Sequence, residues 1–116
     1  MEQNKVELIG KINWKNIEKK TNTTVAKFLV AKRVREGQYT SFPVTMFGDE
    51  ATNAYKLLEK GDFAYFVGKL SMNEYVKDEK EVRMLEIVGL EAKKVTYDTD
   101  KKKYVEVSSN EGVEDW

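Results

Sequence analysis

The sequence predicts an all-β fold with one helix, in which five strands close into a barrel and the helix lies between strands 3 and 4. Alternating apolar and polar residues mark the strands, because successive side chains of a strand point to opposite faces of its sheet. One segment between them has the apolar spacing and the polar ends of a helix. Gly10, Gly68 and Gly89 fall inside predicted strands 1, 4 and 5, where glycine lets a sheet bend and close on itself.

Strands 1 and 2 are predicted in residues 5–14 and 24–35, on either side of a polar turn in residues 18–23. Gly10 is expected to allow a bend or a bulge in strand 1. One phase of each strand is expected to face the core: Val6, Leu8, Gly10, Ile12 and Trp14 in strand 1, and Ala26, Phe28 and Val30 in strand 2. The opposite phase of strand 2 consists of Lys27, Leu29, Ala31, Arg33 and Arg35.

Strand 3 is predicted in residues 39–47, after a tight connection in residues 36–38. Pro43, the only proline of the chain, is awkward inside a strand and indicates a sheet edge or a bulge. The residues expected to point inward are Phe42, Val44 and Met46, and those expected to point outward are Tyr39, Ser41, Thr45 and Phe47.

The helix is predicted in residues 49–61. Asp49 is suited to cap its first turn, and Lys60 followed by Gly61 is typical of a helix end. The stripe expected to pack on the barrel consists of Ala51, Ala54, Tyr55 and Leu58.

Strands 4 and 5 are predicted in residues 62–75 and 82–95, joined by a charged turn in residues 77–81. Five strands with a helix between the third and the fourth is the layout of an OB-fold barrel. The predicted organisation is an OB-fold domain in residues 1–96, an extra hairpin or a linker in residues 97–107, and a mobile acidic tail in residues 108–116.

The composition excludes several classes of function. The 116 residues contain no cysteine and no histidine, which removes disulfides, thiolate metal sites, the commonest zinc ligand and the commonest general base. Carboxylates and lysines do not cluster with the spacing of a metal or acid–base site, so neither an enzyme nor a cofactor is predicted. Residues 1–10 lack a signal-peptide pattern and no apolar stretch is long enough for a membrane helix, so a cytoplasmic protein is expected.

Charge is unevenly distributed along the chain although the net charge is zero. Residues 1–103 contain 20 basic and 16 acidic residues, a balance of +4, whereas residues 104–116 contain 4 acidic residues and no basic one, a balance of −4. A basic body with an acidic end suits a protein whose body meets a polyanion.

Aromatic and cationic side chains alternate along the outward faces and the ends of the predicted strands. Single-stranded nucleic acid needs this mixture, because rings stack on bases and cations follow the phosphates. The residues predicted to bind single-stranded nucleic acid are Trp14, Lys27, Lys32, Arg33, Arg35, Tyr39, Phe47, Lys69 and Tyr75.

Other roles stay open for several of these side chains. Phe47 is equally suited to pack beneath the helix or against another subunit, and the phase of Trp14 favours packing in the core. Arg33 and Arg35 have solvated surface as their alternative, which is also the expected state of the lysine run in residues 101–103.

Four segments resemble the bacterial and phage type of single-stranded DNA-binding protein: NKVELIGKI, TVAKFLVA, VTMFGDEATNAYKLLEKGD and FVGKLSMNEY. The F-G to K-G pattern in residues 47–61, with the G-x-L that follows it, is the most specific part of the resemblance. The resemblance implies an OB-fold, DNA binding without sequence preference, no catalysis and assembly into homo-oligomers, with a tetramer favoured over a dimer.

Two stacking roles follow from the resemblance, position by position. Phe47 corresponds to the family's phenylalanine before the glycine, and Tyr75 corresponds to the aromatic residue after the G-x-L of strand 4. The family's aromatic residue six positions before Phe47 is replaced by Ser41, for which Tyr39 on the same face is the expected substitute. A further aromatic residue, often found at the end of strand 2, is missing from residues 34–36.

The end of the chain also resembles the family, whose acidic tip recruits replication and repair proteins. Glu111, Glu114 and Asp115 precede Trp116, and such acids beside a ring suit a basic pocket with an apolar floor. The alternative is an end without a partner. The short linker before this tip suggests a phage or mobile-element protein, which would act in the host cytoplasm.

The predicted function is therefore sequence-independent binding and protection of single-stranded DNA in replication, recombination and repair. Two alternatives stay open. An OB-fold adaptor for another protein would explain the zero net charge and the missing aromatic residues. A single-stranded RNA binder would use the same stacking, unless a 2′-hydroxyl is read.

Overall fold

Six strands and one helix follow one another in the computed structural model, which describes residues 4–107. The five strands and the helix predicted from the sequence are all present, in the predicted order. The elements are β1 (Val6–Lys19), β2 (Thr24–Arg35), β3 (Gln38–Phe47), α1 (Gly48–Leu57), β4 (Phe63–Lys77), β5 (Lys80–Asp98) and β6 (Lys103–Glu106).

The strands form one sheet in the order β3-β2-β1-β4-β5-β6, in which all neighbours are antiparallel. A parallel pairing of β3 with β5, in which Val44 lies opposite Ile87 and Thr45 opposite Val88, closes β1 to β5 into a ring. β6 stays outside the ring, paired with the end of β5. The predicted OB-fold barrel, with its helix between β3 and β4, is confirmed.

Apolar side chains of the inward phases fill the barrel. Phe28 and Phe66 are fully buried, with ring centroids 5.6 Å apart. The helix adds Ala51 and Ala54 to the same core, Leu58 is buried directly after the helix end, and Tyr55 of the predicted stripe is partly buried against them. Alternation in the strands and helical spacing in α1 therefore direct one continuous set of apolar residues inward.

Gly68 allows a close approach of β4 and β5. A Cβ atom at this position would lie 2.2 Å from the backbone oxygen of Val88. The pairing shifts register at the same place, because Leu90 is an extra residue of β5 opposite the step from Val67 to Gly68. The kink predicted at Gly68 and the bulge predicted at Gly89 are therefore one feature of the barrel.

β1 departs from the prediction in three ways. Its register with β2 shifts between Ile12 and Trp14, so the bulge follows Ile12 and does not lie at Gly10. Gly10 instead permits close contact with β2, where a Cβ atom would lie 2.7 Å from the backbone oxygen of Ala31. The bulge moves Trp14 out of the inward phase, its side chain is 46% exposed, and the expected core packing is wrong. β1 also continues to Lys19, through residues predicted as a turn.

β3 differs from the prediction at Thr45, which was expected to point into solvent. Its side chain is only 5% exposed, and its hydroxyl donates a 2.9 Å hydrogen bond to the carboxylate of Glu86. β5 covers this position through the parallel pairing, which the sequence does not reveal. Pro43 lies just before that pairing, where β2 is the only neighbour of β3 within residues 4–107, so the predicted sheet edge is present.

The ends of the helix also differ from the prediction. The N-cap residue is Phe47, without a side-chain hydrogen bond, and Asp49 lies in the first turn, where its negative charge favours the helix dipole. The helix ends at Leu57 rather than at residue 61. Gly61, with φ of +98°, lies in the following turn and donates a 2.8 Å backbone hydrogen bond to Ile12.

Two hairpins extend from the barrel. In the hairpin of β4 and β5, Asp78 and Glu79 both have positive φ, as a two-residue type I′ turn requires. We call residues 70–87 of this hairpin the β4–β5 arm. The other hairpin joins β5 to β6, with Tyr97 opposite Tyr104.

Candidate nucleic-acid interface

The outer surface of β1, β2 and β3 contains exposed aromatic side chains. Directly opposed residues of neighbouring strands point to the same face of a sheet. Trp14, Leu29 and Pro43 therefore form one outer row across these strands. Phe47 lies on the same outer phase of β3, opposite Val25, and its ring is 46% exposed. The geometry leaves the rings of Trp14 and Phe47 accessible to a ligand.

Predicted cationic residues lie on the same surface. Lys27, Thr45, Val88 and Lys69 occupy opposed positions on β2, β3, β5 and β4. Thr45 is buried in the middle of this row, whereas Lys27 and Lys69 are exposed at its two ends. The barrel thus presents positive charge on both sides of the β3–β5 closure.

The hairpin of β2 and β3 presents a ring and several cations. Arg33 lies opposite Tyr39, which is 68% exposed. A register shift between Arg33 and Arg35 turns Arg35 to the other face of the hairpin. Lys32 also belongs to that other face, and its Nζ donates a 3.3 Å hydrogen bond to the backbone oxygen of Ile9. Tyr39 and Arg33 therefore share the outer surface, and Lys32 and Arg35 border it.

Tyr75 lies apart from the other predicted residues. It is on the β4–β5 arm opposite Val82, and its ring is 40% exposed. It shares the phase of Lys69, from which it is about 20 Å distant along an extended strand. The structure therefore places Tyr75 on an arm that continues the outer surface, outside the group formed by the barrel residues.

A groove of about 770 Å³ crosses the outer surface between the β2–β3 hairpin and β6. Ala31 and Ser41 are short side chains in its lining, and Arg33 and Tyr39 line it on the side of the hairpin. Its volume falls in the range of ~300–1,000 Å³ that is typical of ligand pockets. The groove is lined by Ile9, Gly10, Lys11, Asn13, Ala31, Lys32, Arg33, Tyr39, Ser41, Phe63 and Tyr104.

The cations of the groove keep their charge available. Within residues 4–107, Lys11, Lys32 and Arg33 form no ion pair with a carboxylate, and no Asp or Glu lines the groove. Lys15, outside the groove, lies by contrast 3.1 Å from Glu59. A groove with positive charge and no acid attracts an anion such as a phosphate.

The carboxylate of Glu7 is held in its charged form by two neighbouring side chains. Tyr65 on β4 lies opposite Ile9 of β1, and its hydroxyl donates a 2.7 Å hydrogen bond to the carboxylate of Glu7. This hydrogen bond, followed by the charge of Lys5, lowers the pKa of Glu7 below its ordinary value. The same hydrogen bond raises the pKa of Tyr65. The negative charge of Glu7 is therefore engaged by its two neighbours.

Three aromatic or cationic residues that line the groove, Lys11, Phe63 and Tyr104, are not among the predicted DNA-binding residues. Lys11 lies on the outward phase of β1, opposite Ala31 and Phe63, and its alternation with buried Ile12 was a usable signal. Phe63 and Tyr104 are in contact because β4, β5 and β6 pair in this register. The spacing of residues in the sequence does not predict this contact.

One group of predicted residues lies outside the part of the chain that the structure describes. The tail residues Glu111, Glu114, Asp115 and Trp116 lie outside the described part of the chain. Within residues 4–107, no group of three or more acidic, histidine or cysteine side chains could hold a metal ion. The helix of this part of the chain is not long and apolar enough to cross a membrane.

Comparison with known proteins shows the family of the chain. The model of the single-strand binding protein family matches residues 3–96, well over half of the chain. No curated protein sequence matches the chain. The family match spans β1 to β4 and most of β5, and it ends before β6. The chain therefore belongs to the single-strand binding protein family, whose non-enzymatic OB-fold members bind single-stranded DNA.

Proposed function

We propose that this protein coats exposed single-stranded DNA without sequence preference and protects it during replication, recombination and repair. One observation carries the proposal: Trp14, Tyr39 and Phe47 are exposed on one outer surface of the barrel. Lys27 and Arg33 lie among these rings and have no carboxylate partner within residues 4–107. Stacking accepts any base and a cation accepts any phosphate, so this surface has no need of a particular sequence.

The proposed role is binding without catalysis. A sequence without histidine and cysteine has few groups for proton transfer or nucleophilic attack at neutral pH. Membership in a family of DNA-binding, non-enzymatic proteins supports the same conclusion.

The proposed assembly is a homo-oligomer, with a tetramer favoured over a dimer. The β4–β5 arm supports it, because Leu70, Met72 and Leu85 lie on the phase of β4 and β5 that faces the core inside the barrel. Beyond the barrel these side chains are exposed, and nothing within residues 4–107 covers them. Uncovered apolar side chains that lie together are typical of protein–protein contacts.

The acidic tail is the proposed binding site for partner proteins. Glu111, Glu114, Asp115 and Trp116 would recruit replication and recombination proteins through a basic pocket with an apolar floor. The proposed setting is the cytoplasm, or the host cytoplasm for a phage or mobile-element protein, because single-stranded DNA of bacteria and phages is exposed there.

A titration with oligo-dT of increasing length, followed by light scattering, tests the proposal. We expect sub-micromolar affinity at low salt, little change when the base sequence is altered, and a mass larger than one chain. Unchanged electrophoretic mobility of oligo-dT at low salt would refute DNA binding, and a monomeric mass would refute the assembly. Competition by oligo-U tests RNA binding, since equal competition would show that the protein does not distinguish the two sugars.

The β4–β5 arm also favours a second candidate function, an adaptor whose ligand is another protein. Its apolar side chains suit such a contact equally well. The adaptor requires that Phe47→Ala and Tyr75→Ala leave DNA affinity intact while they disrupt a multimer. Loss of DNA affinity in these variants excludes it as the main role.

A further inference from the structure

Three aromatic side chains pack together where β6 borders the groove. The ring centroid of Tyr104 on β6 lies 5.8 Å from that of Phe63 on β4 and 5.2 Å from that of Tyr97 on β5. All three side chains remain exposed. We call these residues the β6 aromatic cluster. The barrel core does not include these rings, and Tyr104 is 39% exposed, so part of its side chain is accessible to a ligand.

The cluster is continuous with the floor of the groove. Phe63 lies opposite Lys11, Lys11 opposite Ala31, and Ala31 opposite Ser41. These residues form a row across β4, β1, β2 and β3, which spans about 14 Å at the usual spacing of strands. Phe63 and Tyr104 line one side of the groove, and Tyr39 and Arg33 line the other. A ligand longer than one base could therefore touch rings on both sides.

The positive charge along the groove favours an anionic ligand. Lys11 lies between the two aromatic sides, and no acidic residue lines the groove. The hairpin beyond the cluster adds the exposed Lys101 and Lys102. The carboxylate of Asp98 in this hairpin accepts hydrogen bonds from the backbone N–H groups of Asp100 and Lys101. Rings at the ends of a groove with cations between them suit a chain of bases and phosphates.

We propose that Phe63 and Tyr104 form an additional stacking site for single-stranded DNA, so that a strand bound beside Tyr39 continues across Lys11 to the β5–β6 hairpin. This inference rests on the proposed function and extends it. The family match ends at residue 96, so Tyr104 and β6 lie outside the matched residues. The site places two rings on the side of the groove opposite Ser41.

The cluster also covers Val95, which is buried opposite Phe63. A test must therefore distinguish loss of packing over Val95 from loss of a stacked base. Tyr104→Leu keeps an apolar side chain over β5 and removes the flat ring, whereas Tyr104→Phe keeps the ring and removes only the hydroxyl. No hydrogen bond of that hydroxyl is present within residues 4–107.

The binding experiment compares the full-length chain, Tyr104→Leu and Tyr104→Phe in titrations with oligo-dT of increasing length at fixed salt. We expect Tyr104→Leu to raise Kd about 5- to 150-fold for oligomers long enough to reach the hairpin, the range that corresponds to the loss of one stacked base. Shorter oligomers should bind all three proteins alike. The slope of log Kd against log salt should not change, because no charge is removed.

Photocrosslinking locates the stacked base directly. Oligo-dT that contains 5-iododeoxyuridine is bound to the full-length chain, irradiated, and the modified peptide is identified by mass spectrometry. We expect crosslinks to the peptide that contains Tyr104 or to the one that contains Phe63.

The outcomes separate this inference from the proposed function. Failure of the full-length chain to bind oligo-dT would refute both. Tight binding by the full-length chain, equal Kd for Tyr104→Leu at every length and crosslinks elsewhere would refute the additional site alone. A fall in the unfolding temperature of Tyr104→Leu with an unchanged Kd would show that the cluster only covers Val95.

Discussion

Replacement of Phe47 by leucine separates a stacking role from a packing role. Leucine keeps an apolar side chain at the start of α1 and removes the flat ring. Full burial of a phenylalanine contributes about 1.5–3 kcal/mol, and Phe47 is already 46% exposed, so only about half of that contribution is present. Leucine retains part of the remainder. We therefore expect the free energy of unfolding to fall by less than about 1 kcal/mol.

The effect on DNA binding should be larger. Stacking of a base on an aromatic ring contributes ~1–3 kcal/mol in single-strand-binding proteins. Its loss corresponds to a Kd about 5- to 150-fold higher. Fluorescence anisotropy with labelled oligo-dT at one fixed salt concentration measures this change, and urea unfolding measures the stability of the same samples.

Phe28→Leu is the matched control, because the same substitution is made in a ring that is fully buried against Phe66. This variant should lose more stability than Phe47→Leu, while its folded fraction binds oligo-dT with the original Kd. The reasoning is refuted if Phe47→Leu leaves Kd unchanged and loses as much stability as Phe28→Leu. In that case Phe47 is a packing residue.

Three further perturbations test the barrel and its charges. Gly68→Ala should lower the free energy of unfolding by ~1–3 kcal/mol or more in urea, because the new methyl group meets the backbone of β5. Arg33→Gln should reduce the slope of log Kd against log salt by about 0.7, whereas Lys93→Gln, which breaks ion pairs outside the groove, should change it less. Tyr65→Phe should raise the pKa of Glu7 toward its ordinary value in a carboxylate NMR titration. Because the pKa of Glu7 is lowered in the folded state, its stabilising contribution is present at neutral pH and is lost as pH falls through that pKa.

Each of these perturbations has a contradicting result. Unchanged stability of Gly68→Ala would show that β4 and β5 do not approach closely at this glycine. Equal slopes of log Kd against log salt for the Arg33 and Lys93 variants would show that the bound DNA does not follow the groove. An unchanged pKa of Glu7 in Tyr65→Phe would show that the hydrogen bond between the two side chains is absent in solution.

Alternation in the sequence was sufficient for most of the barrel. Ala26, Phe28 and Val30 were predicted to face the core and are buried. Trp14 was assigned to the same side of its strand and is exposed instead, because one extra residue after Ile12 reverses the phase of everything beyond it. Alternation counts residues along one strand, whereas a bulge is set by the pairing with the next strand.

The candidate interface was predictable only where a single strand defines it. Tyr39 and Phe47 were identified from the outward phase of β3, and both are exposed. The same rule misplaced Thr45, which the parallel pairing with β5 buries. Phe63 and Tyr104 come from distant parts of the chain, and only the pairing of β4, β5 and β6 brings their rings into contact.

Trp14 offers the most direct measurement of whether DNA lies on the outer surface of β1, β2 and β3. The chain contains two tryptophans, so Trp116→Phe leaves Trp14 as the only one. Addition of oligo-dT to this variant should quench the fluorescence of Trp14, with a midpoint that matches Kd from anisotropy and is reversed by salt. Tight binding by anisotropy without any change in the emission of Trp14 would place the DNA elsewhere and contradict the account.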